Sequence, residues 1–449
     1  MYNCGIRTGR DHAILLRKSK TRQSLQLLGN SICRKAAKKK RKLMINSELN
    51  QYAALYQTEL LDNVIPFWTE YSVDKIFGGY FTCLTREGNV FDTDKFVWLQ
   101  GRQVWMFAML YNNVEKKKTW LDIALNGADF LKKYGRDEEG NWYFSLTREG
   151  IPLIQAYNIF SDCFAAMAFG ELYKATGSEE FKQIAVSTYY QILERQEHPK
   201  GIYDKSVPGT RPLINFALPM ILCNLSLSLE DVLGSQTTAK IVPELISNIM
   251  TNFYQEDTGL ILENVSREGK FVDSFEGRLI SPGHVNESMW FLMDLAVRYN
   301  DQSLIEQAEK TLLRNTEFGW DKKYGGIFYF LDYKGYPPQQ LEWDQKLWWV
   351  HLETMIAMAK CYKLTGNQSC SNWFEELHQY SWKHFKDPEY NEWFGYLDRR
   401  GDPLLTLKGG KWKGSFHVPR AMYEIWKTLS SPSPLQKDSA TLSNSRNKL

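Results

Sequence analysis

Three histidines, two arginines and two glutamates interrupt stretches that are otherwise apolar at helical spacing: Arg102, His284, Glu287, His351, Glu353, His417 and Arg420. Imidazoles titrate near neutrality, so two of them can take a proton from one face of a molecule and return one to the other. A guanidinium can hold a developing oxyanion, and a carboxylate can orient an imidazole or a hydroxyl. Trp98 and Arg102 are four residues apart, His284 and Glu287 three, His417 and Arg420 three; such pairs share a helix face. His351 and Glu353 are two apart and point away from each other, so only one need face a cavity. A lone histidine on an apolar helix is ordinary core, but this many ionisable groups buried apart would cost at least roughly several kcal/mol. Their company argues for one shared pocket.

The elements that must position them form a repeat. Short aromatic strands closed by a basic residue and glycine recur at GGYFTCLTREG (78–88), GNWYFSLTREG (140–150), TGLILENVSREG (258–269), YGGIFYFLDYKG (324–335) and EWFGYLDRRG (392–401), with a degenerate copy, GIYDKSVPG, at 201–209. The closing glycines, Gly88, Gly150, Gly209, Gly269, Gly335 and Gly401, are 62, 59, 60, 66 and 66 residues apart. Strand alternation with a turn glycine predicts a hairpin, and runs such as SDCFAAMAFGELYKATG predict helices. Six helix pairs without polar capping repeats predict an all-α closed ring, an (α/α)6 barrel with short β-hairpin insertions. Its inner helices should be apolar nearly all round and its outer ones amphipathic. Counted from the preceding turn glycine, Arg102 falls at 14, His284 at 15, His351 at 16, Glu353 at 18 and His417 at 16. One phase in a ring means one end of the barrel.

Composition narrows the field. Nothing reads as 18 consecutive apolar residues, so no membrane span is expected. The 7 Cys are scattered without CxxC spacing and the 7 His without HExxH, which predicts free thiols and no bound catalytic metal. Residues 1–43 carry 13 Lys/Arg against the single acid Asp11, a net of +12 within a whole-chain +3, so the remainder is −9. An acidic body does not suggest a nucleic-acid partner. The basic 1–43 segment is expected to lie outside the functional protein, with Ser47 capping the first helix of a domain at 44–429. The Ser/Pro-rich stretch 430–449 reads as a disordered tail.

The segments WLQGRQVWMFA (98–108), SPGHVNESMWFL (281–292), KLWWVHLETM (346–355) and KGSFHVPRAMYEIW (413–426) resemble the motifs of the N-acylglucosamine 2-epimerase family, over about Met44 to Leu429. The resemblance implies the same barrel and the interconversion of N-acetylglucosamine and N-acetylmannosamine without metal or redox cofactor. It implies acid/base roles for His284 and His417, completed by Arg102, Glu353 and Arg420, with Trp98, Glu287, His351 and Asn215 toward the sugar. Tyr157, Asn158, Asn215 and Pro219 occupy the places that vary most among its members. ATP is implied as a possible allosteric effector, for which Lys205 and Arg211 beside Gly209 are candidates, and a homodimer in the cytoplasm is expected. Aldose–ketose isomerases and other sugar 2-epimerases share the barrel and are the nearest alternatives. A glycoside hydrolase would use Glu287 and Glu353 as facing carboxylates. A renin-binding-like role would need a protein partner and no histidines in register.

Overall fold

Apolar residues at helical spacing fold into pairs of antiparallel helices. The structure, a computed structural model, describes residues 46–196, 207 and 209–432. The expectations for 1–43, for Lys205 and most of the third hairpin, and for the end of the tail lie outside these residues. In chain order the described helices are α1 (Asn46–Thr58), continued through a π-helical turn at Glu59–Val64 into α2 (Ile65–Tyr71), α3 (Val97–Asn113), α4 (Lys118–Tyr134), α5 (Phe160–Thr176), α6 (Glu179–Glu194) and α7 (Ala217–Ser228). They continue as α8 (Glu230–Leu233), α9 (Ser235–Asn248), α10 (Pro282–Tyr299), α11 (Gln302–Gly319), α12 (Trp348–Thr365), α13 (Gln368–His384) and α14 (His417–Ser430). Ser47 lies inside α1 rather than capping it, a boundary shift of the size that local start signals leave open.

Six helices form the inner layer: α3, α5, α7, α10, α12 and α14. Their buried residues run round most of the circumference, as in α12 from Trp348 to Cys361. The outer helices α4, α6, α9, α11 and α13 each pack against the inner helix before them, burying one stripe and leaving charged residues outside. The sixth outer position is filled by the chain's first described helix, α1, against its last, α14. Sequence order therefore closes on itself, which brings the two ends of the repeat together in space.

Closure is stitched at the hairpin end. The strand entering one inner helix pairs with the hairpin of the next unit: Lys95–Phe96 with Ser145–Leu146, Leu213–Asn215 with Asn264–Ser266, Leu279–Ile280 with Leu331–Asp332, and Lys346–Leu347 with Tyr396–Leu397. Ahead of α14 the Lys408 N–H donates to the Leu84 carbonyl at 3.1 Å, joining the last unit to the first. A buried ion cluster repeats at three of these seams. Asp74 takes Lys95 at 3.0 Å and Arg148 at 2.9 Å; Asp321 takes Lys346 at 3.4 Å and Arg399 at 2.9 Å; Asp387 takes Lys408 at 2.7 Å and Arg86 at 2.7 Å. Each aspartate is held below its ordinary range by these cations against the cost of burial. The turn glycines have φ between 72° at Gly269 and 98° at Gly150, a region that L side chains avoid. Among the described residues no helix is long and apolar enough to cross a membrane, and Cys83, Cys163, Cys223, Cys361 and Cys370 are free and buried.

Candidate active site

The seams set the inner helices α3, α7, α10, α12 and α14 with their N-termini toward the hairpin end. Arg102, Glu287 and Glu353 are each the sixth residue of their helix, while His284 is third in α10 and His417 first in α14. They converge at one mouth lined by positive helix ends, a setting that favours developing negative charge.

His417 is buried. Its Nδ1 lies 2.7 Å from Glu353 Oε1, so the Nδ1–H donates to the carboxylate and Nε2 carries the lone pair. Nε2 has no hydrogen bond among the described residues. Burial, then Arg102 and Arg420, hold this imidazole well below its ordinary pKa, in the neutral form. Arg420 lies 2.7 Å from Glu353 and also donates to Glu287, and the Trp290 indole N–H reaches the other Glu353 oxygen at 3.1 Å. Burial still raises the Glu353 carboxyl above its usual range, against the opposing pull of Arg420 and Trp290.

His284 is held differently. Its side chain is 27% exposed, and its Nδ1 lies 3.0 Å and 3.1 Å from the two oxygens of Glu263. Burial works against charge here too, but Glu263 outweighs it and the pKa stands above the ordinary value. Trp349 joins the two histidines: its ring centroid is 5.2 Å from His284 and 5.8 Å from His417, tilted by 36° and 34°. Gly283 makes that approach possible, because a Cβ there would sit 2.6 Å from the Trp349 ring. Arg102 is packed among Trp98, Phe164 and Phe416, its guanidinium carbon 4.4, 4.0 and 4.6 Å from their ring centres. Its buried Nε has no protein acceptor, and burial pushes its pKa down to about 9, still charged at neutral pH.

The mouth thus assembles His284, His417, Arg102, Glu353, Arg420, Glu287 and Trp98. His351 is a correction. It faces the outer layer, stacked on Tyr380 at 5.2 Å and 12°. Its Nδ1–H donates to the Leu347 carbonyl at 2.7 Å and its Nε2 accepts the Ile327 N–H at 2.9 Å. Both nitrogens are spent on backbone, which leaves nothing for a sugar, and burial pushes its pKa down to about 3. Asn215 is exposed beside Glu263, donating to its carbonyl at 3.2 Å and its carboxylate at 3.3 Å. Arg211 is on the surface, 3.5 Å from Glu276. Tyr157 packs on Phe144 beneath the Trp98–Trp412 contact. Glu263 and Trp349 were not singled out by motif; the signal for Glu263 is an acid directly after the buried run Leu260–Leu262. The ligand atoms of Glu287, Glu353 and His417 lie within 4.8 Å of one another, as metal ligands would. The Arg420 guanidinium already supplies the cation there, and it also ties up the two carboxylates that a glycoside hydrolase would need free.

Two imidazoles with opposite charge preference, a buried guanidinium and a ring of helix N-termini on an (α/α)6 barrel suit proton transfer beside a developing oxyanion. The family description N-acylglucosamine 2-epimerase (GlcNAc 2-epimerase) matches residues 79–421. N-acylglucosamine 2-epimerase of Mus musculus is 40% identical over 394 residues, spanning 85% of this chain and 94% of the mouse protein. The Homo sapiens protein of the same name is 41% identical over 388 residues, spanning 83% and 90%. The solved cellobiose 2-epimerase from Bacillus thermoamylovorans superposes with a TM-score of 0.73 at 19% identity, covering 84% of this chain and 99% of that one. The chain belongs to the N-acylglucosamine 2-epimerase family.

Proposed function

We propose that this chain interconverts N-acetylglucosamine and N-acetylmannosamine by proton transfer at C2 of the ring-opened sugar. The carrying observation is the pair of imidazoles about Trp349, each fixed through Nδ1 by its own carboxylate and each with Nε2 free. Once the ring opens, the C1 aldehyde acidifies the C2 proton. His417 takes it; the negative charge moves to O1, where Arg102 and the helix N-termini stabilise it. His284 delivers a proton to the opposite face. The reverse reaction exchanges the two roles. Trp98 and Trp349 offer flat surfaces for the sugar. Incubating the protein with N-acetylmannosamine in D2O and following C2 by NMR should show deuterium entering with formation of the second epimer. Absence of both would remove the reading.

The homodimer, the cytoplasmic setting and ATP as an effector rather than a phosphate donor belong to the same proposal, on the family resemblance. Size-exclusion chromatography and titration of activity with a non-hydrolysable ATP analogue test the first and last. Arg211 is the described candidate for the nucleotide, since its side chain is 62% exposed.

A further inference from the structure

We infer that Glu263, braced by Asn215, is a positioning residue that returns the shared proton to His284 after each turnover. This rests on the two-histidine reading above. One turnover breaks a C2–H bond to His417 and forms a C2–H bond from His284. It ends with the proton on His417 and none on His284. Before the same epimer can react again, His417 must release a proton to water and His284 must take one. The balance is exact in protons, but a bias is needed to keep the return from limiting the rate.

The bias is built into the two surroundings. His417 faces Glu353 on α12, Glu287 on α10, Arg420 on its own helix and Arg102 on α3, and it is hydrogen bonded to a carboxylate already shared with Arg420. His284 faces Glu263 from the preceding hairpin, Glu287 from its own helix, His417 from α14 and the uncharged ring of Trp349 from α12, with Tyr329 edge-on to that ring at 6.1 Å. No cation contacts Glu263 among the described residues, so its charge is spent on His284.

Glu263 is also rigid. Its N–H donates to the Leu279 carbonyl at 2.9 Å and its carbonyl accepts the Phe216 N–H at 2.9 Å. It is thereby pinned between the strands entering α7 and α10. Asn215 adds its Nδ2 to both the carbonyl and the carboxylate, while its Oδ1 accepts the Ala217 N–H at 2.9 Å. The Glu263 side chain is only 8% exposed, so solvent does little to screen it from the imidazole.

The test is the pH dependence of kcat/KM in both directions for the full chain and for Glu263→Gln, Glu263→Asp and Asn215→Ala, with melting curves. The alkaline limb marks loss of the last proton shared by the pair. It must move alike in both directions, because the ratio of the two kcat/KM values is fixed by the equilibrium. For E263Q we expect that limb to fall by about one pH unit or more, with kcat near neutrality down about tenfold and KM changed less. E263D should restore part of the shift, and N215A should lose about two- to threefold. NMR titration of the labelled His284 imidazole without substrate should show the same downward shift. A folded E263Q in which His284 titrates as in the parent and the limb stays in place overturns the inference. A parent protein silent to C2 exchange overturns the two-histidine reading instead, and the NMR titration still decides whether Glu263 charges His284.

Discussion

The mouth of the barrel and the seam beneath α13 each receive a histidine from an inner helix, and they use it in opposite ways. At the mouth, His284 and His417 each spend Nδ1 on a carboxylate and keep Nε2. In the seam, His351 spends both nitrogens on backbone. His351 is the fourth residue of α12, and the fourth residue of α3 is Gln100. Gln100 accepts the Tyr80 N–H at 2.8 Å and donates to the Tyr80 carbonyl at 2.9 Å. Tyr80 and Ile327 are equivalent: each is bridged to the end of an outer helix, at Val73 and Trp320. His351 is therefore the fifth unit's version of a structural glutamine. Within α3 and α12, what separates a mouth position, Arg102 or Glu353, from the clasp is helix rotation of two residues, from the fourth to the sixth, which turns a side chain by about 200°.

The contrast is broken most severely at the mouth. His284→Asn and His417→Asn should each lower epimerisation by about 10²–10⁴-fold in both directions, the range of a general acid or base, while melting curves stay close to the parent. Glu353→Gln should cost about 10²-fold in kcat, because one carboxylate orients His417 and anchors Arg420. Arg102→Lys should lose at least about tenfold in kcat, since an ammonium keeps the charge but not the planar fork or its stacking among three rings; near-parental turnover would make Arg102 peripheral.

In the seam the expected loss is in stability. His351→Ala strands the Ile327 N–H and opens a gap against Tyr380, costing about 2–4 kcal/mol by chemical denaturation. Turnover per folded molecule should stay within a few-fold. His351→Gln, copying Gln100, should recover much of the loss. The pH dependence follows. His351 is neutral when folded down to about 3, while the unfolded chain takes a proton near 6.5. Its contribution is present above pH 6.5 and lost as pH falls toward 3, by up to about 1.4 kcal/mol per unit. The smallest effect belongs to residues 1–43: their removal should leave activity and melting temperature unchanged, and an insoluble or inactive truncated protein would contradict that.

The repeat, and with it the ring, is legible in the sequence because turn glycines such as Gly88 and Gly401 need positive φ and so mark every hairpin. Arg102, Glu353 and His417 are legible because charge inside an apolar helix is costly enough to need a reason. His351 misleads because distance from a glycine fixes a residue's height along the barrel within a turn, but not its face. The face depends on loop length, and the loop after Gly335 carries the YPPQQLEWD stretch that other units lack. Glu263 escapes because its partner, His284, lies 21 residues further on and is brought to it by the Glu263 N–H bond to the Leu279 carbonyl within the same unit, a contact with no local periodicity. Trp349 reads as core like Trp68 and Trp142, and only the absent side chain of Gly283 reveals its place against His284.

The most direct test gives N-acetylglucosamine and N-acetylmannosamine separately to His284→Asn and His417→Asn in D2O and follows C2 by NMR. Each variant keeps one imidazole and so one base. With His417 alone, one epimer should exchange its C2 proton without converting and the other should stay inert; with His284 alone, the preference should reverse. Epimerisation at the parental rate by either variant would contradict the two-histidine account.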